Sequence, residues 1–324
     1  IIEEAEVGGT CLNRGCIPAK AMIHAASLYR EIKESERFGI CVKEVTYDFE
    51  EILKNKEEVS LNLRQGIEQL FISNGVTLIR GKAKLLNLEL PQSQRDHEKS
   101  IQVEMKEETI ILKAKSVILA TGSKPIQLPI PGIQLDKVLT SDSLLQLRKV
   151  PKSLVIIGGG VISVEFASVY ADLGTQVTII EALPRIVPNM DKEISQNLKM
   201  ILKKRGVSIY TGASVQNIQE LDGHLCCHFV EKENEISINA EYVLSAVGRM
   251  PNTSGLLDTG LPIELEKGRI MVNSSFETQL LGVYAIGDLI FGSQLAHTAS
   301  AQGVYVAELV AGKKPLVNLL AVPG

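Results

Sequence analysis

Cys11 and Cys16 stand with four residues between them in Gly8-Gly9-Thr10-Cys11-Leu12-Asn13-Arg14-Gly15-Cys16-Ile17-Pro18-Ala19-Lys20, just ahead of a segment with helical periodicity. Two thiols this close can close a disulfide and exchange it with a substrate disulfide, the thiolate being the attacking form. A helix N-terminus beside a cysteine favours that thiolate by lowering the thiol pKa. Spacing alone leaves two other readings open: a pair of buried structural cysteines, or half of a metal site. C-x4-C without a second Cys/His cluster is a poor zinc site.

A second constellation is Gly158-x-Gly160-x-x-Ser163, set between an apolar run at 154–157 and a helical pattern at 161–173. Glycine lets the backbone turn tightly and approach a pyrophosphate, and the following helix offers free N–H groups and the positive end of its dipole. Ser163 replaces the usual third glycine or alanine but is small enough for close helix–strand packing. Glu181 ends the next apolar strand, about 20 residues past the turn, where an acid bonds ribose hydroxyls. Its charge favours NAD over a 2′-phosphorylated nucleotide. Arg185, four residues on, is the competing signal. Ile1-Ile2-Glu3 repeats the strand-then-acid pattern of Ile179-Ile180-Glu181, so two dinucleotide units are expected, the first lacking its glycine turn.

The elements that must position these residues follow from pattern. A helix is expected over 18–37, with Met22, Ala25, Ala26, Tyr29 and Ile32 at three- and four-residue spacing, ending at Gly39. A second should start near Asp48, with Glu51 three residues later, and stop at Asn74-Gly75. Strands are expected over 76–80, 101–105, 109–112 and 117–120, with a polar loop at 91–100. Pro125, Pro129, Pro131 and Pro151 mark a connector. After the strand and helix at 154–157 and 161–173 come a strand at 176–180, a helix at 191–205, mostly β structure over 207–247, and strand, turn and helix over 282–312. This alternation indicates an α/β fold of two doubly wound Rossmann-like dinucleotide-binding domains. The expected division is a first domain at 1–150 and 272–324, with a second at 151–271 inserted.

Composition bounds the function class. The 324 residues are 45% hydrophobic and 22% charged, with net charge −4 and no tryptophan. No basic stripe interleaved with aromatics points to nucleic acid, and no apolar run reaches the roughly 18 residues of a membrane helix. Five cysteines do not make the framework of a small secreted domain. His224, Cys226 and His228 alternate and would share one face of a strand, which is read as a soft, half-exposed face rather than a metal site. Cys41 is expected as a small core residue.

The stretch from Gly8 to Lys20 resembles the active-site pattern of the pyridine nucleotide–disulfide oxidoreductases, in the form found in the branch that oxidises dihydrolipoyl groups. Leu119-Ala120-Thr121-Gly122, the glycine turn with Glu165, Val247-Gly248-Arg249-Met250-Pro251-Asn252 and Gly282-Val283-Tyr284-Ala285-Ile286-Gly287-Asp288 agree in order and spacing. The resemblance implies FAD in the first domain and NAD in the second. Cys11 would meet the substrate, Cys16 would pass electrons to the flavin, and Lys20 would lie buried against it, paired with Glu165. Glu3 would hold the FAD ribose. Gly9, Thr10, Thr121, Gly122, Gly287, Asp288 and Ala296, at the start of the last helix, would line that cofactor. Gly158, Gly160, Ser163, Glu181, Gly248 and Arg249 complete the nucleotide-binding set. The implied reaction oxidises a protein-bound dihydrolipoyl dithiol with NAD, the partner being a lipoylated acyltransferase of a 2-oxo acid dehydrogenase complex and the parent a homodimer. A bacterial cytoplasm is the expected compartment, with an organelle matrix as the alternative.

Such proteins continue into an interface domain carrying a His-Pro motif. None of His24, His97, His224, His228 or His297 fits it, so residues are expected beyond both ends of this chain. Two other functions stay open: an NADPH-dependent disulfide or mercuric reductase, and a nucleotide-binding module without turnover.

Overall fold

The computed structural model describes residues 1–87 and 98–321. His97 and most of the expected 91–100 loop lie outside them, while Lys99 and Ser100 already belong to a strand, Lys99–Glu104. The described residues form two compact units. One comprises Cys11–Leu63 and Pro125–Gly248; the other comprises Ile1–Thr10, Arg64–Lys124 and Arg249–Gly324. Contacts thus group 11–63 with the segment around the Gly158–Gly160 turn.

The first of these units is built on a five-stranded parallel sheet in the order Ser208–Thr211, Gln176–Glu181, Ser153–Ile157, Tyr242–Ser245, Val138–Leu139. Leu154, Val155, Ile156 and Ile157 are all buried, as a strand covered on both faces requires. Six helices belong wholly or partly to this unit: α1 (Gly9–Arg14), α2 (Cys16–Lys33), α3 (Phe49–Ser73), α4 (Ser141–Leu144), α5 (Val161–Asp172) and α6 (Lys192–Lys204). Met22 and Ala26 of α2, Leu53 of α3, and Phe166 and Tyr170 of α5 pack with Leu154, Ile156 and Ile179 on one face of the sheet. On the other face lies an antiparallel sheet of Ala213–Leu221, His224–Glu231 and Asn234–Ala240. Its Ile218, Leu225, Cys227 and Phe229 meet Val155, Ile157, Ile180 and Val243.

Three local features depart from the sequence expectation. The cysteine segment is helical on both sides of Gly15, so α2 begins at Cys16 and takes Pro18 into its first turn, where proline costs no hydrogen bond. That helix ends at Lys33, and Ser35–Phe38 is a separate 3-10 turn closed by Gly39 at φ 79°. The Ser35 hydroxyl bonds the Ile32 and Ile40 carbonyls on either side of it. Within the expected connector, Thr140 and Ser143 form a reciprocal capping box that starts α4. The N-cap role read for Asp48 is present: its carboxylate accepts from the N–H groups of Glu50 and Glu51.

The other unit carries two parallel ladders, Ile2–Glu3 with Ile79–Arg80 and Val117–Leu119 with Val283–Ala285. An antiparallel sheet of Lys82–Leu85, Lys99–Glu104 and Thr109–Ala114 joins them in a core of Leu85, Val103, Leu119, Ile270, Val283 and Leu289. Its long helix is α7 (Ala296–Val310).

Candidate active site

Cys11 lies inside α1, and Cys16 is the first residue of α2, with Gly15 bending the chain between them. Both are free thiols; Cys11 is half-buried and Cys16 exposed. Cys16 neighbours Cys11 closely enough to act on it in two ways, its thiol favouring the protonated Cys11 and its backbone N–H favouring the thiolate. Burial, then the neighbouring thiol, push the Cys11 pKa up to about 11, against weaker pulls from the Cys16 N–H and Lys20. The expected lowering by a helix N-terminus is therefore corrected for Cys11: desolvation outweighs it. The exposure of Cys16 removes the reading of two buried structural cysteines. Among the described residues no group of three His, Cys, Asp or Glu side chains is placed to hold a metal.

One turn beyond Cys16, Lys20 donates to Glu165 Oε1 at 2.7 Å, joining α2 to α5. The two side chains are 60% and 22% exposed. The Glu165 hydrogen bond raises the Lys20 pKa, so the amine stays charged. Further along the same helix pair, Arg30 bonds Asp172 at 2.8 Å. The Asp172 carboxylate is 2% exposed and also meets Arg205 at 3.4 Å, while Arg205 bonds the Ser168 hydroxyl. No local spacing pointed to Asp172, because its partners lie far off in sequence.

At the glycine turn, Gly158 sits at φ 99°, and a Cβ there would lie 2.6 Å from the Ala246 carbonyl oxygen. Gly160 caps α5 with no side-chain hydrogen bond, and a Cβ there would meet nothing within 4 Å. Open space before an uncapped helix is what a pyrophosphate needs. The buried Glu181 carboxylate accepts from the Gly159 N–H and, at 2.6 Å, from the Leu183 N–H. Gly159 matters because a Cβ would press on Glu181 at 3.0 Å. Ser163 is fully buried and its hydroxyl reaches the Ala246 carbonyl at 3.4 Å. Arg185 is turned to the Pro188 carbonyl at 2.8 Å. Gly248, at φ 122°, accepts from the Ile126 N–H.

The remaining expected residues lie in the other unit. Glu3 accepts from the Ala5 N–H at 2.9 Å. Gly9 and Gly122 have φ of 71° and 67° with open space where a Cβ would stand. Thr10, half-buried, opens α1 next to Gly9. The Thr121 hydroxyl donates to the Asn252 carbonyl at 2.7 Å, and the Asn252 N–H donates to Gly122. Asp288 accepts from the Ser123 hydroxyl at 2.5 Å, and Arg249 bonds the Ser123 hydroxyl and carbonyl. Gly287 donates its N–H to the buried Gln302 side chain. Ser123 and Gln302 were not foreseen, being distant from their partners in sequence. Ala296 is the first residue of α7, which has no side-chain cap. Of the alternating trio, His224 is exposed, His228 half-buried and Cys226 buried, so the face expected to be half-exposed is closed at its centre.

A dithiol beside a lysine–glutamate pair, on a doubly wound sheet with a glycine turn ahead of a helix, defines an α/β oxidoreductase class. Residues 1–303 match the pyridine nucleotide-disulphide oxidoreductases, and the chain belongs to that family. It is 39% identical over 326 residues to the dihydrolipoyl dehydrogenase of Chlamydia pneumoniae, covering 100% of this chain and 67% of that protein. It is 38% identical to the mitochondrial dihydrolipoyl dehydrogenase of Pisum sativum, covering 100% of this chain and 64% of that one. The Cu(II) complex of the HOCl-induced flavoprotein disulfide reductase RclA from Escherichia coli superposes with a TM-score of 0.81 at 30% identity, over 97% of this chain and 66% of that one. The chain thus spans about two-thirds of the length of these relatives.

Proposed function

We propose that the protein oxidises a protein-bound dihydrolipoyl dithiol, with NAD as final acceptor, through a Cys11–Cys16 redox disulfide. The observation that carries this reading is the pair of free thiols on either side of the Gly15 joint, Cys16 one helical turn from the Lys20–Glu165 ion pair.

In this reading one substrate thiolate attacks Cys11 Sγ of the disulfide, and Cys16 leaves as a thiolate. The second substrate thiolate then attacks the substrate sulfur of the mixed disulfide, and Cys11 leaves. The substrate loses two electrons and two protons and becomes a cyclic disulfide, while the pair becomes a dithiol. The Cys16 N–H and the Lys20 charge stabilise the negative sulfur while it exists. Bound FAD would couple this two-electron thiol chemistry to hydride chemistry. Glu3, Gly9, Thr10, Thr121, Gly122, Gly287, Asp288 and Ala296 would hold it; the open space at Gly9 and Gly122 and the uncapped start of α7 fit such a group. Gly158, Gly160, Ser163, Glu181, Gly248 and Arg249 would serve NAD, with Glu181 held by two backbone N–H groups where a ribose diol would reach it.

The proposed partner is the lipoylated acyltransferase of a 2-oxo acid dehydrogenase complex, with the protein acting as a homodimer in a bacterial cytoplasm; an organelle matrix suits the same chemistry. Among the described residues no helix is long and apolar enough to cross a membrane. A disulfide reductase using NADPH is the second reading: Arg185 stands four residues after Glu181, and RclA, which the chain resembles, is named a flavoprotein disulfide reductase. Glu181 opposes it by charge.

The test is thiol exchange. The chain oxidised at Cys11 and Cys16 is mixed anaerobically with dihydrolipoamide, quenched in acid and mapped by mass spectrometry. Two new thiols at Cys11 and Cys16, with one lipoamide formed per chain, are expected. Unchanged cysteines under excess dihydrolipoamide would overturn the proposal.

A further inference from the structure

We infer that Ser60 is a positioning residue for the dithiol, acting through the backbone carbonyl of Leu12. The inference rests on the proposed redox role of Cys11 and Cys16.

Ser60 lies in α3, eleven residues after its first, on the stripe of Phe49, Leu53 and Lys56 that the helix buries. The stripe is apolar in its first half and polar in its second. A polar side chain on a buried stripe costs free energy unless it is hydrogen-bonded. Both polar members are satisfied by main-chain carbonyls of other segments: Lys56 Nζ donates to Leu145 at 2.6 Å, and the Ser60 hydroxyl donates to Leu12 at 3.1 Å. Ser60 is 6% exposed. A helical serine commonly bonds the carbonyl four residues before it; here the hydroxyl reaches 48 residues back instead.

Leu12 follows Cys11 directly and is the buried residue of the six-residue helix α1. The chain bends at Gly15 before Cys16 starts α2. The segment between the two sulfurs is therefore a short helical piece and a glycine joint, and the Ser60–Leu12 bond anchors it to α3. The anchor restricts the backbone that must bring the two sulfurs into bonding distance. Releasing it gives the reduced pair more freedom to lose on closing the ring, which disfavours the disulfide.

The experiment equilibrates the whole chain with glutathione buffers of graded ratio under argon, followed by acid quench and mapping of Cys11 and Cys16. Glutathione disulfide is the oxidant: the dithiol loses two electrons and two protons, and two glutathione thiols form. Ser60→Ala, which removes the hydroxyl, is compared with Ser60→Thr, which keeps it. The full strength of one hydrogen bond sets a ceiling of about fivefold on the fall in the equilibrium constant for closing the disulfide. That fall is expected in Ser60→Ala, with recovery in Ser60→Thr, and with α-helical content by circular dichroism unchanged in both. An equilibrium constant in Ser60→Ala equal to the parent's overturns the inference and leaves the redox pair intact. A parent chain that forms no Cys11–Cys16 disulfide at any ratio overturns the redox reading itself. If Ser60→Ala fails to fold, Ser60→Gly, which also removes the hydroxyl and adds no thiol, decides in its place. A fall in the same direction supports the inference, and none overturns it.

Discussion

Lys20 and Glu165 are 145 positions apart in sequence and meet at 2.7 Å, tying the helix that begins with Cys16 to the helix that follows the glycine turn. Because Lys20 is largely open to solvent, the pair fixes a charge near the thiols more than it holds the fold together. Glu165→Gln should therefore change stability to urea by less than about 1 kcal/mol. The variant should also react differently at the thiols, since Lys20 is among the groups that favour the Cys11 thiolate. A large loss of stability with unchanged Cys11 alkylation would contradict both halves.

The Cys11 thiol, raised to about 11, sets a pH dependence. Alkylation of Cys11 by iodoacetamide in the reduced chain should climb through that pH rather than level off near the ordinary thiol range. A raised folded pKa means the folded state binds more protons than the unfolded one between the two values. The contribution of Cys11 to stability is thus present below the ordinary thiol pKa and is lost as pH rises towards about 11. Lys20→Gln should move the alkylation curve to still higher pH.

Two glycines of one turn should behave differently. Gly158→Ala forces a Cβ to 2.6 Å from the Ala246 oxygen at φ 99°, and should cost about 1–3 kcal/mol or more in thermal or urea unfolding. Gly160→Ala meets nothing within 4 Å, so the fold should persist. Its methyl would occupy the space before α5, and NADH binding, followed by fluorescence, should weaken. Equal NADH affinity in Gly160→Ala would remove the turn from the nucleotide site.

Replacing Glu181 by Ala should erode the preference for NADH over NADPH, because the two N–H groups it accepts from would face the ribose without the opposing charge. An unchanged ratio of the two dissociation constants would sink the NAD assignment.

Asp172 is the buried joint of α2, α5 and the end of α6. Burial holds its carboxyl above the ordinary aspartate range in spite of Arg205 and Arg30. Asp172→Ala removes the carboxylate that Arg30 and Arg205 share and should cost about 2–4 kcal/mol. Asp172→Asn keeps an acceptor of the same shape and should cost less, as urea unfolding would show.

The parts of the site that were legible in sequence are those whose chemistry is local. The strand Ser153–Ile157, the Gly158–Gly160 turn, α5 and Glu181 sit within one short stretch, and period and glycine placement mark each. The Cys11, Cys16 and Lys20 spacing is of the same kind. The start of α2 at Cys16 was not legible, since Pro18 suggested a later beginning although a first turn accepts proline. Nor were Ser60, Ser123, Asp172 and Gln302, whose roles depend on partners brought together only by folding. The grouping of 11–63 with 125–248 is likewise a property of packing that no composition shift announces.

The most direct measurement is the anaerobic visible spectrum of the chain supplied with FAD, before and after dihydrolipoamide. The account predicts a long-wavelength thiolate–flavin band that appears with dihydrolipoamide and is absent in Cys16→Ser. Bound flavin that shows no such band, or shows it equally in Cys16→Ser, would contradict the assignment of Cys11 and Cys16 as the redox pair.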